Sequence, residues 1–239
     1  HRSPYNARNH EYYSEDAVLT SGQAVAFISG GKEYGVIIAP KHLAFNDTEI
    51  NRTGVSVFMT EQQARENELR GTQAAIEDAG ALGVMTAFNR VGITATNAHT
   101  GLLKNILRGE WGFKGLESQD FIMNPNYAVL KEYALNGGTM TTFTGENTMA
   151  AVSEKFAYWT TENVGQDTEL MSAIKQAMTW QAYALANSNA LDGMASSTRL
   201  VSVRTWYDNA LVAVQVVFAA LTVLAAAMYV LNDRKSKKQ

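Results

Sequence analysis

Asp120, Lys41, His42 and Arg8 are the residues whose types and neighbours could do chemistry in this chain. Asp120 ends the short apolar-to-polar run Leu116-Glu117-Ser118-Gln119-Asp120, which follows a helical stretch and the glycine-punctuated turn Gly109-Glu110-Trp111-Gly112-Phe113-Lys114-Gly115. In parallel α/β proteins the C-terminal ends of strands collect catalytic side chains, because the loops there form the rim of the site. A carboxylate in that position is a candidate nucleophile. Lys41 and His42 follow Val36-Ile37-Ile38-Ala39, an apolar run with β-branched residues of the kind expected in a strand buried on both faces. Two adjacent donors at a strand terminus cannot both point into the core, and a charged donor makes the stronger hydrogen bond to a hydroxyl. Arg8 lies in a polar, aromatic segment, Arg8-Asn9-His10-Glu11-Tyr12-Tyr13-Ser14-Glu15-Asp16, where an arginine on its own reads as a loop-stabilising ion pair. The histidines (His1, His10, His42, His99) have no metal-ligand spacing, and no glycine-rich phosphate loop follows a strand, so neither a metal nor a cofactor is expected.

The elements that must position these residues follow from periodicity. A helix is expected over about 17–34, capped by Asp16 or Ser14 and closed by Gly35, then the strand 36–39 and a long Asn-, Asp- and Thr-rich loop over 43–59. Thr60 and Glu61 start a helix with a charged face that ends near Gly80. The strand 83–89 comes next, then a loop to about Thr100, a helix over 101–109 and a strand over 115–120. A fourth unit has a helix over 125–136, a break at Gly137-Gly138 and a strand over 139–144; the pattern from 147 to 193 is helical. This recurrence is the rhythm of a (β/α) fold, and four units make half of an eight-stranded barrel of the TIM type.

The rest of the composition narrows the class. The chain has 239 residues, 46% of them apolar and 18% charged, which suits a folded α/β body. Its net charge of −3 supplies no basic stripe for phosphates, so a nucleic-acid partner is not expected. There is no cysteine, hence no disulfide framework and no thiolate nucleophile. From Ala210 to Leu231 the chain is apolar except for Gln215, Thr222 and Tyr229. At about 1.5 Å per residue such a stretch covers a hydrocarbon core of about 30 Å. Trp206 and Tyr207 suit one membrane interface and Tyr229 the other, and Arg234, Lys235, Lys237 and Lys238 beyond it suit the cytoplasm. The expected organisation is a partial catalytic barrel over 1–193, a linker over 194–209, a transmembrane helix over 210–231 and a basic cytoplasmic tail over 232–239. A single-pass membrane protein with its α/β part extracellular and the lipid bilayer as a partner follows from it.

Four segments carry a resemblance to a known family. Leu107-Arg108-Gly109-Glu110-Trp111-Gly112-Phe113-Lys114-Gly115 with Asp120 five residues on resembles the nucleophile-bearing segment of glycoside hydrolase family 3, of the β-glucosidase type. Lys41-His42-Leu43-Ala44-Phe45-Asn46-Asp47-Thr48-Glu49 is similar to that family's Lys-His-Phe-Ala-x-Asn-x-x-Glu, without the Pro-Gly-His loop of hexosaminidase-type members. Arg8 to Asp16 is similar to its Gly-Arg-Asn-Phe-Glu-Tyr-x-Ser-Glu-Asp, and Met85-Thr86-Ala87-Phe88-Asn89 to its Met-Thr-x-Tyr/Phe-Asn strand. The resemblance implies a retaining, exo-acting β-glycosidase that cleaves at nonreducing sugar ends without a cofactor. It makes Asp120 the nucleophile, has Arg8, Lys41 and His42 bind the sugar, and places Phe88 and Phe121 as apolar walls. It covers the second half of the family's barrel, so the chain is expected to be a fragment whose partner is the missing first half or a second copy, with the acid/base carboxylate outside it. The alternative is a noncatalytic, membrane-tethered carbohydrate-binding protein of the same fold. Glu117 and Gln119 bear on that choice, because a central strand that buries them must satisfy both.

Overall fold

The computed structural model describes residues 3–52, 54–121, 129–142, 157–194, 198–199 and 201–236, and it divides into two units, His1–Asp192 and Gly193–Gln239.

In the first unit the helix Ala17–Lys32 starts where Asp16 accepts the Leu19 N–H at 2.6 Å, the capping geometry that satisfies an otherwise orphaned donor. Strand β1 (Lys41–Leu43) is followed by β2 (Ser56–Val57), and Thr60 then caps the helical stretch that runs from Glu61 to Glu77 with one π-wound turn at Ala64–Glu68. β3 (Gly83–Thr86) leads into the hairpin of β4 (Arg90–Val91) and β5 (Thr94–Ala95). The π-wound helix Gly101–Glu110 precedes β6 (Leu116–Gln119), and the helices Leu130–Leu135, Thr161–Gln166 and Thr168–Ala186 follow. β1, β3 and β6 form a parallel sheet in that order, with Gly83 opposite Leu116 and Thr86 opposite Gln119, and a further parallel bridge joins Ser118 to Met140. Neighbours in the sheet are therefore consecutive in the (β/α) sequence, each pair joined through a helix. β2, β4 and β5 make a separate small sheet.

The expected strand at 36–39 is corrected: the ladder begins at Lys41, so Lys41 and His42 lie within β1 instead of following it. Pro40 has no N–H to donate. Its carbonyl accepts from the Met85 N–H at 3.2 Å, and Ala39 packs against Gly83. Two segments expected to be loops hold strands, β2 within 43–59 and the β4–β5 hairpin before Thr100. Of the helix expected over 125–136, Leu130–Leu135 is helical and 125–128 lies outside the described residues, as do 143–144 of the last expected strand and 147–156 of the helical region.

The core packs between sheet and helices on Ile28, Leu43, Leu69, Val84, Leu103 and Leu107. The motif before β6 is a staple for that strand. Trp111 and Phe113 are buried, and Gly112 turns the chain at φ +60. A Cβ on Gly115 would sit 2.3 Å from the Leu82 carbonyl oxygen, so only glycine permits the approach. Arg108 donates to the carbonyls of Phe113 and Gly115 (2.9 Å each) and of Gly137 (3.1 and 2.6 Å), with its guanidinium 3.8 Å from the Trp180 ring centroid. Burial pulls its pKa down to about 10, against the raising effect of Glu117.

The second unit holds one long helix, Trp206–Ser236. Thr205 and Asp208 cap it reciprocally: the Thr205 N–H donates to Asp208 Oδ2 at 2.8 Å and the Asp208 N–H to Thr205 Oγ1 at 3.4 Å. Within Trp206–Leu231 an 18-residue window reaches a mean hydropathy of 2.4, so the helix is long and apolar enough to cross a membrane.

Candidate active site

β1, β3 and β6 deliver their C-terminal ends side by side. Asp120 is the residue just past β6, 8% exposed, with Oδ1 accepting the Phe121 N–H at 2.8 Å and Oδ2 lying 3.2 Å from His42 Nε2. Burial pushes its carboxyl up, but the His42 contact and the Phe121 N–H outweigh it and, with the nearby charge of Arg52, hold it below the usual carboxylate range. His42 is buried, and its other ring nitrogen, Nδ1, is 3.1 Å from the Tyr12 hydroxyl. In a neutral imidazole whose Nε2–H points at Asp120, Nδ1 is the acceptor for that hydroxyl. Asn46 closes the group, its Nδ2 donating to Tyr12 Oη (3.2 Å) and Glu49 Oε1 (3.3 Å).

Arg8 and Lys41 converge on Glu11. Arg8 Nε and Nη2 donate to its two carboxylate oxygens at 2.7 and 2.6 Å, and Lys41 Nζ lies 3.1 Å away. The Arg8 bonds, with Lys41 in support, take the Glu11 carboxyl down to about 2. Arg8 also stands 3.6 Å from Glu49, which pairs in turn with Arg52 at 3.1 Å. The Arg52 guanidinium sits 4.4 Å from the centroid of the Phe88 ring, a cation–π contact. Phe121 is 44% exposed beside Asp120.

Four of the six residues singled out by sequence fall into two groups in contact, and the two phenylalanines reach the site separately. His42 touches Asp120 directly, and Arg8 and Lys41 share Glu11. Phe88 meets the site through Arg52, and Phe121 borders it through its backbone. Sequence reasoning missed Tyr12, Glu11, Asn46, Glu49 and Arg52. All but Arg52 lie inside segments already quoted, and Arg52 follows Glu49 by three residues, so proximity to those segments was the available signal. Among the described residues no group of three or more His, Asp or Glu side chains could hold a metal ion.

The strand that presents Asp120 is less well satisfied on its helix-facing side. Glu117 is fully buried, and neither of its carboxylate oxygens has a hydrogen bond. Gln119 accepts from Asn97 Nδ2 at 2.8 Å, but its own Nε2 has no partner. Burial pushes the Glu117 carboxyl up to about 7, even with the Arg108 charge pulling it back.

The sequence profile of the Glycosyl hydrolase family 3 N terminal domain matches residues 1–156. This chain belongs to glycoside hydrolase family 3. A family 3 β-glucosidase-type character is carried by its curated relatives as well. It is 40% identical over 121 residues to a beta-glucosidase of Rhizobium radiobacter, a match covering 51% of this chain and 15% of that protein. Beta-glucosidase B of Emericella nidulans is 40% identical over 121 residues, covering 51% of this chain and 14% of that protein. The structure of beta-glucosidase 3B from Thermotoga neapolitana in complex with alpha-D-glucose superposes with a TM-score of 0.68 at 27% identity, over 80% of this chain and 26% of that one. The chain therefore spans about one-seventh of those curated relatives and about a quarter of that solved structure. The fold of the first unit is TIM-barrel-like, as in these family 3 neighbours.

Proposed function

We propose that this chain supplies the nucleophile and part of the sugar-binding surface of a retaining, exo-acting β-glycosidase of the β-glucosidase type. The observation that carries the reading is Asp120: a buried carboxylate at the C-terminal end of a parallel strand, held low by His42 Nε2 at 3.2 Å and by a backbone N–H. A retaining glycosidase needs one carboxylate ionised at working pH to attack the anomeric carbon, and a second carboxyl about 5–5.5 Å away as acid and then base. Asp120 takes the first role. Arg8, Lys41 and His42 bind hydroxyls of the nonreducing sugar, which displaces Lys41 and Arg8 from part of their hold on Glu11, and Phe88 and Phe121 wall the sugar ring. No residue of this chain is assigned the acid/base role. The strands β1, β3 and β6 with the Met140 bridge act as one half of a (β/α)8 barrel, completed by a further half. The apolar helix of the second unit spans a lipid bilayer once, its basic end cytoplasmic and the barrel outside.

The test is trapping by a 2-deoxy-2-fluoro-β-glycoside, with this chain alone and with a complementary half-barrel supplied in trans. A glycosyl adduct on Asp120, absent after Asp120→Asn, supports the reading, and an adduct that persists in Asp120→Asn rejects it. A second reading, a carbohydrate-binding protein without turnover, is favoured by the unpartnered Glu117 carboxylate in the same strand. Saturable binding of a glycoside with no adduct and no hydrolysis in the completed barrel would select it.

A further inference from the structure

The polar side chains of the apolar stretch from Ala210 to Leu231 are Gln215, Thr222 and Tyr229, each seven residues from the next. Ala219 and Ala226 fall between them at offsets of four and three, and Val212 precedes Gln215 by three. In a helix of 3.6 residues per turn, a spacing of seven returns to almost the same face, and the alternation of three and four is the heptad seam of a left-handed two-helix contact. The other positions of the stretch are Val, Leu, Ala, Phe and Met. One face thus carries the polar groups, with Ala219 and Ala226 between them, and the remainder is apolar.

The groups on that face differ in what they lack. The Thr222 hydroxyl donates back to the Phe218 carbonyl at 2.8 Å, so it is satisfied within its own helix. Gln215 makes no hydrogen bond among the described residues, and it lies nine residues inside the helix start at Trp206. A bilayer core offers no water to an amide, so its two donors and its acceptor need a protein partner.

We propose that this helix pairs with the same helix of a second copy of the chain, parallel and in register, along Val212, Gln215, Ala219, Thr222 and Ala226. The proposal rests on the membrane-spanning reading above. A glutamine amide is both donor and acceptor, so two Gln215 side chains facing each other satisfy one another, and self-pairing needs no second kind of surface. Two copies inserted with the same topology are parallel, which sets each seam residue opposite its counterpart. Ala219 and Ala226 carry little bulk on that seam, which lets the two backbones approach between the polar positions. The consequence is a dimer that would bring two barrel halves to one patch of membrane surface.

The chain contains no cysteine, so single cysteines can be placed at every position from 210 to 231 of the full chain in lipid vesicles and oxidised. The expected disulfide yield peaks at 212, 215, 219, 222 and 226 with a period of 3.5. In a second experiment, by energy transfer between labelled copies, Gln215→Leu weakens the dimer about three- to tenfold, the range of polar helix contacts in membranes, while Gln215→Asn retains most of it. A flat yield, a peak on another face, or a Gln215→Leu chain that dimerises like the parent overturns the dimer. So does cross-linking only to a different membrane protein. Alkaline carbonate extraction of the chain from vesicles would instead overturn the membrane reading, and it is scored separately from the cross-linking.

Discussion

Asp120 and Glu117 sit three residues apart around one strand, and their environments push them in opposite directions. Both are buried. Asp120 has a ring N–H donor and a backbone N–H aimed at its two oxygens and is held low; Glu117 has no hydrogen bond to either oxygen and is pushed up to about 7. Burial is the largest single influence on each. What separates them is the supply of donors at the end of the strand against its middle: past β6, β1 brings His42 and the segment after β1 brings Arg52, whereas inside the sheet the backbone donors are spent on the ladder. The contrast separates a carboxylate that can act as an anion from one whose charge the fold has to tolerate.

The largest effect on this contrast is expected from Arg108→Ala. Arg108 satisfies three carbonyls from two segments and supplies the charge that lowers Glu117. Its loss leaves those carbonyls and the Glu117 charge uncompensated, a cost of about 3 kcal/mol or more for a buried network of this kind. Urea unfolding of the full chain at pH 7 should show it, with the Glu117 carboxyl displaced further upward. An unfolding midpoint within the error of the parent would mean that the Arg108 contacts do not hold β6.

Glu117→Gln is the next largest. The folded pKa of Glu117 stands at about 7, above its ordinary value of 4.5, so the folded state binds the proton more tightly. Stability is therefore complete below pH about 4.5 and is lost progressively as pH rises toward and past 7, by a total of about 3 kcal/mol from the linkage relation. Glu117→Gln removes that slope. In urea titrations from pH 5 to 8.5 the parent should lose stability toward alkaline pH while Glu117→Gln stays level, and equal slopes would sink the assignment of Glu117 as the unsatisfied carboxyl.

The sequence disclosed the ends of these strands better than their middles. The helix starts at Asp16 and Thr60 were legible because capping needs a specific side chain at a specific place. The motif around Arg108 and Gly115 pointed at Asp120, since backbone approach and carbonyl capture leave few residue choices. β1 was misplaced by several residues because the apolar run 36–39 only leads up to the sheet: Ala39 lies against Gly83 of β3, but none of the four residues is buried and pairing begins at Lys41. The link from Tyr12 through His42 to Asp120 was not legible either. Contacts 30 residues apart in sequence are set by how β1 and the loop before Ala17 come together, which no local spacing records.

Tyr12→Phe is the smallest change and the most discriminating, because it leaves Asp120 and His42 in place and removes one hydroxyl. The Tyr12 hydroxyl is 3.1 Å from His42 Nδ1, opposite the nitrogen that faces Asp120. Without it the imidazole is free to turn its Nε2–H away from the carboxylate, and a hydrogen bond of this kind is worth about 0.5–1.5 kcal/mol, or roughly two- to tenfold in rate. The more telling readout is the acidic limb of the fluoroglycoside trapping rate in the completed barrel. Asp120 attacks only as the anion, so trapping falls as pH drops through its pKa, and the parent limb should lie below the ordinary carboxylate range. In Tyr12→Phe the limb should move toward alkaline pH, while a purely structural role for Tyr12 would lower the plateau and leave the limb where it was. A limb that does not move would show that His42 is not what keeps Asp120 ionised, and the difference between the two carboxylates of β6 would then rest on Phe121 and Arg52 alone.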